Sequence, residues 1–341
     1  MKPYPEQLAA VEAAIRHGRG CVVMPTGTGK SLVFALLIAK LQVKTLIIVP
    51  TLGLKLQLQA DFTKWFGSLD NITIRNVDAT GLEKETAYDL LILDECHHSA
   101  ASTYRQLNKK AWNNIYYRYN FTATPWRSQE EEQLLLESIT GEVVYRLEYA
   151  RAVSQGFIVP VEAYYYEIPK QEVDGYTWRE VYSELVINHT QRNTAIAALL
   201  DRLVETGTSG LCLVKEVAHG EKIQSLMTHP TAFIKGENDD NRIKILEFNL
   251  RERLVLIGTE GVLGEGIDSK PAEYVIIAGL GKSKPRFMQS VGRAVRRYEG
   301  KDSAKIIIFK DNSHKWSLAH FKAQCKILKE EYGVIPIKLT I

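Results

Sequence analysis

Met24-Pro25-Thr26-Gly27-Thr28-Gly29-Lys30-Ser31 lies between an apolar run, Gly20 to Met24, and a mostly apolar stretch with helical character, Ser31 to Leu41. A strand that passes into a helix through a glycine-bearing loop ending in Lys-Ser has the context of a phosphate-binding loop. Gly27 and Gly29 let the backbone turn successive N–H groups toward phosphate oxygens, and the helix N-terminus adds a favourable dipole. Lys30 has the reach to meet β- and γ-phosphates, and Ser31 offers a hydroxyl to Mg²⁺. A glycine-rich turn that binds nothing is the bland alternative. Glycine at two set positions followed by Lys-Ser, between strand and helix, speaks against it. The loop predicts an ATP site lined by Thr26, Gly27, Thr28, Gly29, Lys30 and Ser31.

A second signal lies further along, where Leu90-Leu91-Ile92-Leu93 runs into Asp94-Glu95-Cys96-His97. Carboxylates at the carboxyl end of a parallel strand fall on the same edge as a phosphate loop. Asp94 is placed to hold Mg²⁺, and Glu95 to orient and deprotonate an attacking water. His97 and His98 form no metal pair on this reading, because adjacent histidines point in different directions and no further ligands are spaced for zinc.

Between and beyond these motifs the chain alternates apolar strands with helices. Thr45 to Val49, Ile72 to Val77, Tyr88 to Leu93 and Ile115 to Phe121 read as strands in the first half, with a helix from Leu54 to Phe66. The second half repeats the rhythm. Strands are expected at Leu211 to Val214, Ala232 to Ile234, Leu254 to Ile257, Tyr274 to Ala278 and Lys305 to Phe309. Helices are expected over Thr190 to Glu205, where Ile196, Leu199, Leu200 and Leu203 share one face, and over Trp316 to Glu331. Strands separated by helices predict an α/β fold of parallel sheets covered on both faces. The halves are expected to be separate domains, 1–150 and 161–341, joined by a linker at 151–160 that carries Gly156 and Pro160.

Composition narrows the class further. Of the 341 residues, 45% are hydrophobic and 24% charged, an ordinary globular profile without low-complexity tracts. The longest apolar run, Leu32 to Ala39, is too short to span a bilayer, and no signal peptide follows Met1, so no membrane association and a cytoplasmic location are expected. The four cysteines lie far apart and read as reduced thiols. A net charge of +3 tolerates a polyanionic partner without requiring one.

The Asp-Glu-Cys-His run at 94–97, following the loop at 24–31, resembles motif II of the DEAH-type superfamily 2 helicases. The resemblance extends over nearly the whole chain. Pro3-Tyr4-Pro5-Glu6-Gln7 resembles the adenine-reading Q motif, with Gln7 as the base-reading residue. Pro50-Thr51 resembles the start of motif Ia, which touches the nucleic-acid backbone. Thr122-Ala123-Thr124-Pro125 resembles motif III, which implies that Thr122 and Thr124, together with His97, couple hydrolysis to strand movement. Gly258-Thr259-Glu260 and Gly264-Glu265-Gly266-Ile267-Asp268 resemble motif V, with Thr259 toward nucleic acid and Gly266 and Asp268 toward nucleotide. Gln289-Ser290-Val291-Gly292-Arg293-Ala294-Val295-Arg296 fits motif VI, with Gln289 facing the γ-phosphate. Arg293 and Arg296 stand three residues apart, so on a helix they would share one face and could stabilise charge on that phosphate.

Within the superfamily the chain is most similar to the branch holding restriction-enzyme motor subunits, excision-repair helicases and phage branch-migration helicases. That resemblance implies two tandem RecA-like domains and an ATP-dependent DNA helicase or translocase that remodels forks or branched junctions. It implies strand contacts made mainly to the backbone and movement in the 3′-to-5′ sense. An RNA-dependent ATPase, or a nucleotide-switched binding module without unwinding, would share many of the same residues. One departure stands out: a single strand fits between Thr51 and the Asp-Glu strand, where two are expected. The aromatic cluster from Ile115 to Phe121 reads as a sheet strand rather than a stacking platform. Lys282-Ser283-Lys284-Pro285-Arg286 reads as a solvated loop more than a phosphate contact.

Overall fold

The computed structural model describes residues 3–96, 102–123, 134, 137–173, 177–236, 240–264, 269–279 and 281–339. The chain divides into two compact units, Met1–Ala152 and Val153–Ile341. Each is an α/β layer structure around its own parallel sheet.

In the first unit the order is α1 (Pro5–His17), β1 (Arg19–Val23), α2 (Lys30–Leu41), β2 (Thr45–Val49), α3 (Leu52–Phe66), β3 (Ile72–Asn76), β4 (Leu90–Leu93), α4 (Ser102–Lys110), β5 (Tyr117–Thr122), β6 (Val143–Arg146) and α5 (Tyr149–Ser154). The sheet runs β3-β2-β4-β5-β1-β6, and every pairing is parallel. Strands β2 and β4 are buried along their whole length, which is why they read as unbroken apolar runs rather than alternating ones. Helix α2 buries Val33, Phe34, Ala35, Leu37 and Ile38. The Phe34 ring meets Phe121 of β5 edge-on at 4.5 Å, locking the helix after the loop onto the sheet.

Helices α1, α4 and α5 and strand β6 were not expected from sequence. Helix α1 starts at Pro5, whose fixed φ suits the first helical turn, and stops at Gly18 in the left-handed region. Strand β6 adds an edge beside β1 through a register shift between Cys21 and Val22. As expected, the aromatic cluster forms strand β5, with Tyr119 and Phe121 inside the core. One strand, β3, also lies between Thr51 and β4, as the shortened spacing implied.

In the second unit, β7 (Val161–Ile168) leads to α6 (Trp178–Tyr182), which continues into a π-helical turn, Ser183–Ile187. Then follow α7 (Thr190–Glu205), β8 (Gly210–Val214), α8 (Val217–Leu226), β9 (Ala232–Ile234), α9 (Asp240–Asn249), β10 (Val255–Thr259), α10 (Glu260–Gly264), β11 (Tyr274–Ile277), α11 (Lys284–Gly292), β12 (Ala304–Asp311), α12 (Lys315–Tyr332) and β13 (Ile337–Lys338). The sheet order is β13-β7-β12-β11-β8-β10-β9, again parallel throughout. One face of its core joins Ile196, Leu200 and Leu203 of α7 to Cys212, Ile257, Ile276 and Phe309.

The segment 151–160 begins in α5 and then turns inward. Phe157, Ile158 and Val159 are buried. The Val159 N–H donates to the Val295 carbonyl at 2.9 Å, and Ile158 forms an antiparallel bridge with Arg296. That pairing also corrects one expectation. Helix α11 ends at Gly292, so Arg293 and Arg296 do not lie on a common helix face. Arg293 occupies the cap position, and Arg296 belongs to the bridge.

Candidate active site

The sheet order of the first unit brings the phosphate loop and the acidic motif to one edge. Strand β5 lies between β1 and β4, with Val23 beside Thr122 and Leu93 beside Asn120. The loop after β1 and the turn after β4 therefore emerge at the same carboxyl end. There the Lys30 Nζ meets Glu95 Oε1 at 3.0 Å, with both side chains largely buried. The Glu95 N–H donates to Asp94 Oδ1 at 2.9 Å. Glu95 itself has a φ of 48°, in the left-handed region. A non-glycine residue held there costs on the order of 1–3 kcal/mol, a strain that recurs where a side chain must be aimed.

Charge and burial compete at this corner. Burial disfavours the Lys30 ammonium, yet Glu95 and then Asp94 outweigh it and hold its pKa above the ordinary lysine value. Burial and the neighbouring Glu95 charge push Asp94 up to about 7, against the pull of Lys30 and of the Glu95 N–H. Two carboxylates and one ammonium thus share a small, poorly hydrated space. An additional cation would be welcome beside Asp94, and an anion beside Lys30.

The loop is braced from α1. Gln7 is buried; its Nε2 donates to the Thr28 carbonyl at 3.0 Å, and its Oε1 accepts the Tyr4 N–H at 3.0 Å. A primary amide has two donors and an oxygen with two lone pairs, so one of each remains for a ligand. Gly29 is favoured by its φ of 80°, and a Cβ there would lie 2.6 Å from Gln7 Nε2, so that side chain would have to shift. The Thr28 hydroxyl is turned inward, donating to the Pro25 carbonyl at 2.7 Å. Thr26, Gly27 and Ser31 remain at least partly accessible.

Other expected site residues are more dispersed. Thr51 caps α3, its hydroxyl accepting the Leu54 N–H at 3.3 Å, with Pro50 partly buried just before it. Thr122 is buried at the end of β5, and its carbonyl accepts the Met24 N–H at 3.0 Å, tying β5 to the start of the loop. In the second unit Thr259 ends β10 and Gln289 lies in α11, both partly buried. Arg293 is 6% exposed, and its carbonyl accepts from the Ser269 hydroxyl at 3.5 Å. The Arg296 carbonyl accepts from Lys301 Nζ at 2.9 Å. His97, Thr124, Gly266 and Asp268 lie outside the described residues.

Sequence reasoning missed two supports. Glu6 is buried against Arg151 at 2.6 Å and against the Tyr145 hydroxyl, fastening α1 to β6 and α5. A Glu one residue before Gln7 in an alanine-rich helix gave no hint of that. Cys21 and Cys96 bring their Sγ atoms within 3.9 Å beneath the acidic turn, a proximity that linear spacing hides.

The donor set suits a nucleoside triphosphate with one divalent cation. Lys30 and the glycine loop supply the ammonium and N–H donors that phosphate takes, whereas Ser31 and Asp94 offer hard oxygens. No three His, Cys, Asp or Glu side chains gather as a self-sufficient metal cluster among the described residues. Nor is any described helix long and apolar enough to cross a membrane.

Two parallel α/β sheets in tandem, the first with a phosphate loop and an acidic strand end on one edge, define a RecA-like nucleotide-hydrolase architecture. Comparison with known proteins gives the family. Residues 1–87 and 71–127 fit the profile of the type III restriction enzyme res subunit, and residues 192–298 fit the helicase conserved C-terminal domain. Relatives include the ATP-dependent DNA helicase UvsW of enterobacteria phage T4, 22% identical over 90% of this chain and 68% of its own. The DNA 3′-5′ translocase XPB2 of Sulfurisphaera tokodaii is 23% identical over 89% of this chain and 80% of its own. Among solved structures, a fragment described as an HsdR subunit of a type I restriction enzyme from Vibrio vulnificus superposes with a TM-score of 0.74. It shares 19% identity and covers 99% of this chain and 68% of its own. A Dbp5 variant of S. cerevisiae bound to RNA and ADP BeF3 gives a TM-score of 0.71 at 16% identity, over 99% of this chain and 90% of its own. The chain belongs to the superfamily 2 helicases, in the branch that holds restriction-enzyme motor subunits and the UvsW and XPB/Rad25 helicases. It is a helicase-family ATPase.

Proposed function

We propose that the chain is a DNA-stimulated ATPase that moves along one strand and remodels forks or branched junctions. The observation that carries the reading is the largely buried Lys30–Glu95 pair beside the buried Asp94 at the carboxyl edge of the first sheet. In that arrangement Lys30 holds Glu95 until phosphate competes for the ammonium. Exchange of one anion for the other frees Glu95 to orient a water and take its proton. Ser31 and Asp94 would hold Mg²⁺, which when bound offsets charge on the β- and γ-phosphates. Gln7 has one donor and one acceptor left to meet the adenine edge, and Arg293 and Arg296 would stabilise charge developing on the γ-phosphate.

DNA is favoured over RNA because several relatives are named as DNA helicases or a DNA translocase. The likeness to an RNA-bound protein is one of fold. Thr51 and Thr259 are proposed to meet the strand through its backbone, making binding insensitive to sequence and sensitive to salt. Steady-state ATPase with matched single-stranded DNA and RNA, beside forked and four-way DNA, tests the reading. DNA is expected to raise turnover well above the unstimulated rate, with RNA ineffective. Equal or greater stimulation by RNA would replace the DNA reading, and no stimulation by either would leave a nucleotide-switched binding module.

A further inference from the structure

A cavity of about 490 Å³ lies wholly within the second unit, at the carboxyl edge of its sheet, reached by the ends of β8, β10 and β11 and by α6, α11 and α12. Two tryptophans line it. Trp178 of α6 and Trp316 of α12 have ring centroids 6.0 Å apart and planes at 84°. His320, one turn after Trp316, lies 4.5 Å from the Trp178 ring. Lys215, Lys282 and Arg286 stand on the same walls, with Glu260 as their acidic counterpart. The nucleotide chemistry proposed above uses none of these side chains.

The cluster opens to solvent: Trp178, Trp316 and His320 are each only partly buried. The walls are nonetheless fixed. Gln324 of α12 donates to the Gly281 carbonyl at 3.3 Å, and Lys284 of α11 pairs with Glu331 of α12 at 2.5 Å. The local field is positive, since after burial itself the Lys282 and Lys215 charges hold His320 below the ordinary histidine range. Partly exposed aromatic rings beside several cations match a planar ring joined to a phosphate. The volume falls in the range of about 300–1,000 Å³ common for small-ligand sites. Carboxyl edges of parallel strands are also where such ligands bind in α/β sheets.

We propose that this cavity captures one unstacked base of a bound single strand, the ring against Trp178 and Trp316 and the adjoining phosphate against Lys215, Lys282 and Arg286. The inference rests on the nucleic-acid reading above and adds to it. Contacts to the backbone alone do not distinguish a strand with bases from one without, whereas a stacking pocket does.

The test compares the full chain's affinity for a short single-stranded DNA and for a strand of equal length built from abasic units, which keeps the phosphates and removes the rings. Wild type is expected to prefer the base-bearing strand by roughly 5- to 150-fold, the span of one stacked base. Trp178→Leu and Trp316→Leu should reduce that preference, and Trp316→Phe should retain most of it. If a leucine variant fails to melt cooperatively, wild-type tryptophan emission decides instead: quenching by the base-bearing strand and not by the abasic one supports the pocket. Equal wild-type affinity for both strands, or a preference unchanged in both leucine variants, would overturn the proposal while leaving DNA-stimulated ATPase intact. Quenching by free adenosine monophosphate as complete as that by the strand would overturn it in favour of a free-nucleotide site. Failure of wild type to bind either strand would overturn this proposal and the DNA reading together.

Discussion

The phosphate corner of the first unit and the arginine segment of the second are both expected to serve ATP, yet they are built differently. At the phosphate corner every candidate side chain sits at the end of a regular element. Lys30 opens α2, Asp94 and Glu95 follow β4, and Gln7 lies in the first turn of α1. Strand register brings Lys30, Asp94 and Glu95 together, and the Gln7–Thr28 hydrogen bond adds α1. The arginine segment lies where regular structure has stopped. Arg293 caps α11, and Arg296 is held by pairing with Ile158, which stands well over a hundred residues earlier in the chain. The difference shows two ways of holding a charged side chain: by the end of an element, which local pattern encodes, or by a remote backbone partner, which it does not.

The contrast can be broken in several ways. Arg293→Ala carries the largest expected effect, a loss of ATPase turnover of roughly 10³–10⁵-fold if the arginine stabilises the transferring phosphoryl group. Turnover within tenfold of wild type would remove it from the chemistry. Glu95→Gln should cost roughly 10²–10⁴-fold in turnover as a lost general base, with folding retained. A variant with wild-type turnover would show that another group activates the water.

Ile158→Ala probes the remote support instead of the charges. Emptying this buried position should cost about 2–5 kcal/mol in denaturant unfolding of the second unit. A change below 1 kcal/mol would mean that the buried Ile158 side chain contributes little to anchoring the segment.

The smallest expected effect is one of pH. Burial, with the Arg296 charge adding to it, lowers Lys301 from 10.5 to about 8, while Lys301 donates to the carbonyls of Lys270 and Arg296. Between those values the unfolded chain binds more protons than the folded one. Stability contributed at this site therefore rises as pH increases from 8 to 10.5, and the burial penalty is fully present below 8. The stability of wild type minus that of Lys301→Gln should grow over that window, by at most about 3 kcal/mol. A difference that stays flat with pH would place Lys301 in a more solvated setting.

The same contrast explains what could be read in advance. The phosphate loop, the Asp-Glu strand end and most strands were legible because each is announced by neighbouring residues. Helix α7 matched its expected bounds, since a clean 3.6-residue period coincided with its packing face. Helix α1 is hard to see in the sequence because its opening residues also fit a ligand motif. Strand β6 is short and at the sheet edge, with Val143 exposed, so it lacks the apolar run that marked its neighbours. The helical placement of Arg293 and Arg296 failed for a tertiary reason. Backbone pairing of 158–159 with 295–296 takes the chain out of the helix whatever the local spacing suggests. The cavity between Trp178 and Trp316 was invisible for the same reason, being assembled from segments far apart in sequence.

Hydrolysis at the Lys30–Glu95 corner is proposed to drive movement along DNA. Displacement of streptavidin from the end of a biotinylated single strand tests it most directly. Wild type is expected to displace streptavidin when ATP is present, and Glu95→Gln to lose that activity. Movement driven by hydrolysis would be contradicted by a wild-type protein that hydrolyses ATP in the presence of DNA and leaves streptavidin bound at both ends of the strand.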